Sequence, residues 1–212
     1  LNKKAKIFGV FELSKTYIEK VLDWLFIFIQ IICIFALFSD GNFDYMRMAL
    51  GNLFFWIIYM ILEKKEGWRI PLYIRIITLL SITINDYLGE YLNWYVTSSL
   101  YDRLQHLFGT YALTLWIFFV IQQFIQLKLK NQRLTILFIF SLALALGTIY
   151  ELLEFIEDEV FKPKIKNQPS LLDTDLDLIS DLAGGLLAVV HYHISKHLKS
   201  FQFPFEQRTS TK

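Results

Sequence analysis

A single cysteine, Cys33, stands in the whole chain, so no internal disulfide can form and no thiolate metal cluster can assemble. It lies inside an apolar run and reads as a small packing residue. Charge is scarce too: 19% of residues are Asp, Glu, Lys or Arg, against roughly 25% in soluble domains. No basic face with interleaved aromatics occurs and the net charge is only +1, so nothing points to a nucleic-acid partner. An HExxH helix or a similar metal motif is absent. No small-x-small site follows the first apolar run, so no cleavable signal peptide is expected. Internal repeats, low-complexity stretches and a soluble domain are missing as well. Strict apolar–polar alternation, which a membrane barrel requires, fails in Leu25-Phe26-Ile27-Phe28-Ile29 and in Leu142-Ala143-Leu144-Ala145-Leu146.

What is present is hydrophobic length. The chain is 55% hydrophobic and 17% aromatic, with a mean hydropathy of +0.42. Its apolar residues gather into six runs, at 21–39, 45–62, 70–92, 103–127, 134–156 and 177–196. Each is near the roughly 20 residues that a helix needs to cross the hydrocarbon core. The expected fold is therefore all-α: a polytopic transmembrane helix bundle of about six spans. Residues 1–20 form a basic interfacial segment, 21–196 the transmembrane domain and 197–212 a loosely ordered tail. The expected partner is the lipid bilayer of a bacterial cell membrane (the inner membrane); no soluble partner is named by any segment.

Lysines and arginines set the orientation. Fifteen fall on the side of the two termini, and five (Arg47, Arg103, Lys162, Lys164 and Lys166) on the other. Both ends are therefore expected in the cytoplasm. Tyr87, Tyr91, Trp94, Tyr95 and Tyr101 crowd the outer interface, where rings with polar tips are favoured.

Three polar clusters interrupt this pattern: Tyr101-Asp102 with His106, Glu151 with Glu154, and Asp173, Asp177 and Asp181. Counting spans brings all three to the outer membrane face. Asp102 and His106 lie four apart, Glu151 and Glu154 three apart, and the three aspartates repeat every four, so each set shares one helix face. Glu151 and Asp181 lie about four to five residues inside their spans, on the order of 8 Å below the ends. Ionised groups at mid-membrane cost about 2.5–3.5 kcal/mol each, less at these depths, so several together imply a polar cavity, shared protons or a cation.

Asp102, His106, Glu151, Glu154, Asp177 and Asp181 are therefore the candidate catalytic residues. His106, Glu151, Glu154, Asp177 and Asp181 are the candidate ligands of a divalent metal. Carboxylates and one imidazole suit Zn²⁺, Mn²⁺ or a di-metal pair that activates water against a lipid or envelope substrate. Two other readings stand beside this one: a proton- or cation-coupled transporter of small molecules, and a non-catalytic polar cluster that fixes helix packing. Whether the chain is an enzyme stays open among them. Gly109, Gly184 and Gly185 would let helices approach beside the cavity. Asn85, Asp86 and Glu90 either line it or end the third span in the headgroups. His193 and His197, four apart, read as inner interfacial residues, and Lys162, Lys164 and Lys166 as a solvated loop.

Tyr101-Asp102-x-x-x-His106, Glu151-x-x-Glu154 and Asp173-Thr174-x-x-Asp177-x-x-x-Asp181-x-x-Gly184 together resemble the YjdF-like family of uncharacterised bacterial multi-pass membrane proteins. The pattern is more loosely similar to VanZ-like proteins, although Asp181 stands where those carry Asn. The resemblance spans about residues 100–190. It implies a helical membrane fold and a polar cluster, with no particular reaction.

Overall fold

A segment in hydrocarbon must close its backbone hydrogen bonds within itself, and every regular element among the described residues is accordingly helical. The computed structural model describes residues 2–197 apart from Ser99, Lys128 and Lys130. For residues 2–16, Lys196 and His197 it describes the backbone alone. The expected tail beyond His197 therefore lies outside the described residues. So do the side chains of Lys3, Lys4, Lys6, Lys15, Lys196 and His197.

Seven α-helices follow in order: α1 (Asn2–Ser39), α2 (Phe43–Glu66), α3 (Leu72–Ile84), a short α4 (Trp94–Thr97), α5 (Tyr101–Phe124), α6 (Gln132–Val160) and α7 (Leu171–His197). Five stretches are long and apolar enough to cross a membrane: Tyr17–Ser39 of α1, and α2, α5, α6 and the Leu171–Ser195 part of α7. The third expected run differs. Its α-helix stops at Ile84 and the chain continues as a π-helix over Asn85–Tyr91. Asn85, Asp86, Gly89 and Glu90 are buried together on this wider turn. Other boundaries move as well, and α1 runs unbroken from Asn2 through the expected interfacial segment into the first span. Helix α7 starts at Leu171 rather than 177, and α6 runs on to Val160 rather than 156.

Local chemistry sets the ends. The Asn42 side chain accepts from the Tyr45 amide at the start of α2, and Asn131 accepts from the Arg133 and Leu134 amides at the start of α6. Gly67 ends α2 at φ 68°, a left-handed conformation that costs glycine nothing. Ser170 Oγ accepts from the Asp173 amide, which lets α7 begin ahead of its aspartates.

The exterior is apolar. Only 22–44% of the best membrane-crossing window of each span is buried within the protein, and Phe28, Phe35, Phe54, Leu137, Phe155 and Ile179 face outward. In water such a surface would be an aggregation hazard; in a bilayer it is the solvent-facing side. The buried core is aromatic: Phe26, Trp56, Tyr59, Trp116, Phe118 and Tyr192 interlock between α1, α2, α5 and α7.

Helix α5 is the central post, and α7 lies closest to it. A Cβ on Gly184 would fall on the Leu107 carbonyl oxygen and 3.1 Å from the Tyr111 nitrogen, so only glycine lets the two backbones touch. Gly185 admits Ala143 of α6 in the same way. Gly109 does not act as a close-contact residue, because its nearest neighbour, Ser81 Oγ, leaves 3.7 Å for a Cβ.

Candidate functional site

Helices α5, α6 and α7 bring the expected polar residues to one end of the bundle. The imidazole of His106 is its centre, with only 3% of the side chain exposed. On one side its Nδ1 lies 3.3 Å from Asp181 Oδ1 and 3.7 Å from Glu151 Oε1. On the other its Nε2 lies 3.6 Å from Asp102 Oδ1 and 3.8 Å from Glu154 Oε1. Asp177 joins the second side: ligand-capable atoms of Asp102, His106 and Asp177 all lie within 4.8 Å of one another, as do those of His106, Glu151 and Asp181. All six candidate residues thus share one site. The i, i+4 and i, i+3 spacings make them neighbours within each helix, and the tight α5–α7 and α6–α7 contacts unite the helices.

Second contacts orient these groups. The Thr110 hydroxyl donates to Asp181 Oδ1. The Asp181 side chain packs onto Gly147, where a Cβ would meet its Oδ2 at 2.6 Å. Gln168 Nε2 donates to Glu151 Oε2 at 2.8 Å and to the Glu151 carbonyl at 2.9 Å. The loop carrying Gln168 is held by Asp158, which accepts from the Asn167 and Gln168 amides. The Tyr150 ring stands edge-on to His106, its centroid 5.2 Å away. Arg103 bonds Asp173 at 3.1 Å at the rim.

The charge does not balance. Five carboxylates surround one imidazole, so a fully ionised centre is negative even with His106 protonated. Glu151 Oε1, Asp177 Oδ1 and Asp181 Oδ2 are buried and have no hydrogen-bond partner. An orphaned buried carboxylate oxygen carries a desolvation cost that a proton, a cation or a hydrogen-bonding water offsets, and of these only the first two also reduce the excess negative charge. Ligands about 2.1 Å from a tetrahedral Zn²⁺ stand about 3.4 Å apart, close to the 3.3 and 3.7 Å spacings at His106 Nδ1.

Two cavities flank the centre. A vestibule of about 250 Å³ at this end of the bundle is lined by Glu90, Asp102, Arg103, Glu154, Lys166 and Asp173. A second cavity of about 330 Å³ reaches inward from His106, Thr110 and Asp181 to Leu113 and Thr78. Asn85 and Tyr150 line both. Asn85 therefore borders the site, whereas Asp86 turns away. Its carboxylate accepts from Gln30 and Asn52 at 2.7 Å each and from Asn85 at 2.9 Å.

The chain matches, over residues 21–197, a family described as "Predicted membrane protein (DUF2238)". It belongs to that family. The membership covers all the membrane-crossing helices and agrees with the YjdF-like resemblance of residues 100–190. A relative from Thermotoga maritima, named "Uncharacterized protein", is 28% identical over 145 residues, covering 64% of this chain and 71% of the relative. No solved structure matches.

A second buried charged group escaped the reading of the sequence. Arg75 of α3 donates to Asp23 Oδ1 at 2.6 Å and to Glu63 Oε1 at 2.5 Å. Trp56 Nε1 also donates to Asp23, and the Tyr59 hydroxyl to Glu63. This group joins α1, α2 and α3 at the end of the bundle opposite His106, so the buried charge is not confined to one membrane face. The signal was available: Arg75 and Asp23 each sit inside an apolar run, where a charge demands a partner.

The histidines of α7 serve other ends. His191 is stacked between Tyr73 and Tyr111 and bonds the Tyr111 hydroxyl at 2.5 Å. His193 is exposed and bonds Gln132 at 2.8 Å. A pairing of His193 with His197 falls outside the described residues. Lys162, Lys164 and Lys166 are exposed, as expected of a solvated loop.

Proposed function

We propose that the His106 centre holds a divalent metal ion and supports a metal-assisted reaction on a lipid or envelope substrate at the outer leaflet of a bacterial cell membrane. The observation that carries this reading is the set of three orphaned carboxylate oxygens, on Glu151, Asp177 and Asp181, around one buried imidazole. His106, Glu151 and Asp181 form one ligand set; Asp102 and Asp177, with Glu154 beside them, form a second across the ring. A hard or borderline ion suits such oxygen-rich ligands. When bound it would neutralise the excess charge and acidify a coordinated water. Glu154, which lines the vestibule, would be the proton-accepting carboxylate in this reading.

The same reading takes α3 with its π-helical continuation, Leu72 to Tyr91, as a sixth crossing, with both termini cytoplasmic. The fifteen-to-five distribution of lysine and arginine supports that orientation. Cysteine labelling at Ser170, with Cys33 replaced, should occur from the outer side. Labelling from the cytoplasmic side alone contradicts the orientation.

A structural role for the cluster is the second reading, favoured by the Thr110–Asp181 and Gln168–Glu151 bonds that tie α5, α6 and α7 together. One experiment separates the two. Detergent-purified protein should retain a divalent metal, and His106→Ala or Asp181→Asn should abolish it while the protein still accumulates. A metal-free wild type whose melting temperature ignores added Zn²⁺, Mn²⁺ and Mg²⁺ sinks the metal reading.

A further inference from the structure

The inner cavity has a shape and a position that a soluble substrate does not need. Its back wall is α3 and α5, where Thr78, Ala112 and Leu113 meet. Its sides are Asn52 and Phe55 of α2 and Leu146 and Leu153 of α6. These two helices lie apart in the chain order of packing: α2 packs on α1 and on the π-helix, α6 on α5 and α7. At the outer end they are bridged by Arg47, which lies 3.8 Å from Glu157 and 3.9 Å above the Phe161 ring. Below that bridge Phe55 and Leu153 are 37% and 54% exposed, and the surface they share faces hydrocarbon. Both flanks of the slot thus carry side chains exposed on the apolar exterior, while Asn85 and Tyr150 join its other end to the vestibule.

Polarity is graded along the cavity. Deep in the bundle Leu113, Ala112, Ile82 and Leu146 surround the single hydroxyl of Thr78; at its outer end stand His106, Thr110, Asp181 and Asn85. Beyond Tyr150 the vestibule begins, with Arg103 and Lys166 at its edge. A volume of about 330 Å³ equals that of about eleven liquid waters, and falls in the range of small-molecule sites. Water gains little there, since much of the wall offers no hydrogen bonds. A hydrocarbon chain gains the burial of its methylenes and already surrounds the slot.

We propose that a membrane phospholipid enters sideways between α2 and α6, rests one hydrocarbon chain in the cavity beside Leu113, and presents its head to the His106 centre and the vestibule. The seating of the head rests on the metal reading; that of the chain does not. An oxyanion of the head would complete the coordination of a bound ion, with Arg103 and Lys166 nearby as positive groups.

The test is photolabelling of the full chain reconstituted in phosphatidylglycerol vesicles, using tracer phosphatidylglycerol with a diazirine in one acyl chain. Labelled positions are mapped by mass spectrometry, with metal content measured on the same preparation. Strong labelling of α5 at Ala112 and Leu113 is expected, well above that of Phe118, which is buried in the core of the same helix. Leu113→Trp should fill the cavity and cut this labelling several-fold, while labelling of the lipid-facing Phe35 on α1 and the metal content stay unchanged. Leu146→Trp, which narrows the slot from α6, should do the same if Leu113→Trp fails to accumulate. Labelling of α5 no higher than at Phe118, or equal labelling in both Trp variants and the wild type, overturns the proposal. A preparation that shows this labelling but holds no metal, and takes up none when it is added, keeps the chain's seating and overturns the metal reading alone.

Discussion

The bundle carries a buried charged centre at each end, and the two are completed in different ways. Around Arg75, one guanidinium faces two carboxylates, and the indole of Trp56 and hydroxyl of Tyr59 bond those same carboxylates. The two rings also flank the cation, at 5.7 and 5.8 Å from their centroids. Around His106, five carboxylates face one imidazole, and three of their buried oxygens have no hydrogen-bond partner in the protein. The first centre pairs its cation with protein carboxylates, leaving only Arg75 Nε without a hydrogen-bond partner, and pins α1, α2 and α3 together. The second is completed only by something added to it. Buried charge is expensive wherever it sits, so the difference lies in what compensates it: protein groups at one end, and at the other an ion or shared protons.

That contrast predicts a ranked set of outcomes. Arg75→Met should have the largest effect, because it leaves Asp23 and Glu63 buried without their cation. A loss of about 3–5 kcal/mol is expected. It should appear as a fall in melting temperature or abundance that added metal does not repair. A neutral result would erase the distinction between the two ends.

Metal should move the other end alone. At a free concentration of about 100 times Kd, a bound ion stabilises the folded state by about 2.7 kcal/mol. Wild-type melting should therefore rise on titration with Zn²⁺ or Mn²⁺, and that of His106→Ala should not. An equal rise in both would place the binding elsewhere.

Gly147→Ala sharpens the comparison further. The added Cβ would collide with the Asp181 side chain at 2.6–2.9 Å, so the carboxylate must shift. Overpacking of this kind costs about 1–3 kcal/mol, and retained metal should fall with it. A variant that is destabilised but fully metal-loaded would separate Asp181 from the ligand set. Gln168→Leu should have the smallest effect, about 1 kcal/mol, since it removes the bonds to Glu151 without removing a ligand. Retained metal at the wild-type level with a small drop in melting temperature is the expected result.

Much of the fold was legible because membrane spans announce themselves by length. The runs at 21–39, 45–62, 103–127, 134–156 and 177–196 each overlap a helix long enough to cross. The run at 70–92 was legible as apolar but not as broken. Nothing in helical periodicity announces a π-helix, and Asn85, Asp86 and Glu90 are buried on this one. The six site residues were legible because short spacing on a helix places side chains on one face. Gln168 was not, since a loop residue reaches Glu151 only through the fold of the loop on Asp158. Asp158 itself read as one surface acid among several, yet it is buried beneath that loop.

Hydropathy and local spacing alone thus determined a helical membrane protein with polar faces on its last three long helices. They could do so because hydrophobic length and the helical repeat are properties of neighbouring residues. Only the tertiary structure decided which polar faces meet. Gly184 lets α5 and α7 close until Thr110 and His106 reach Asp181, and Gly147 makes room for that carboxylate. The same packing sends Arg75 to Asp23 and Glu63 at the far end. Contacts across 75 or 52 positions have no signature in spacing. They follow from how closely helices pack and from what each buried charge can find when they do.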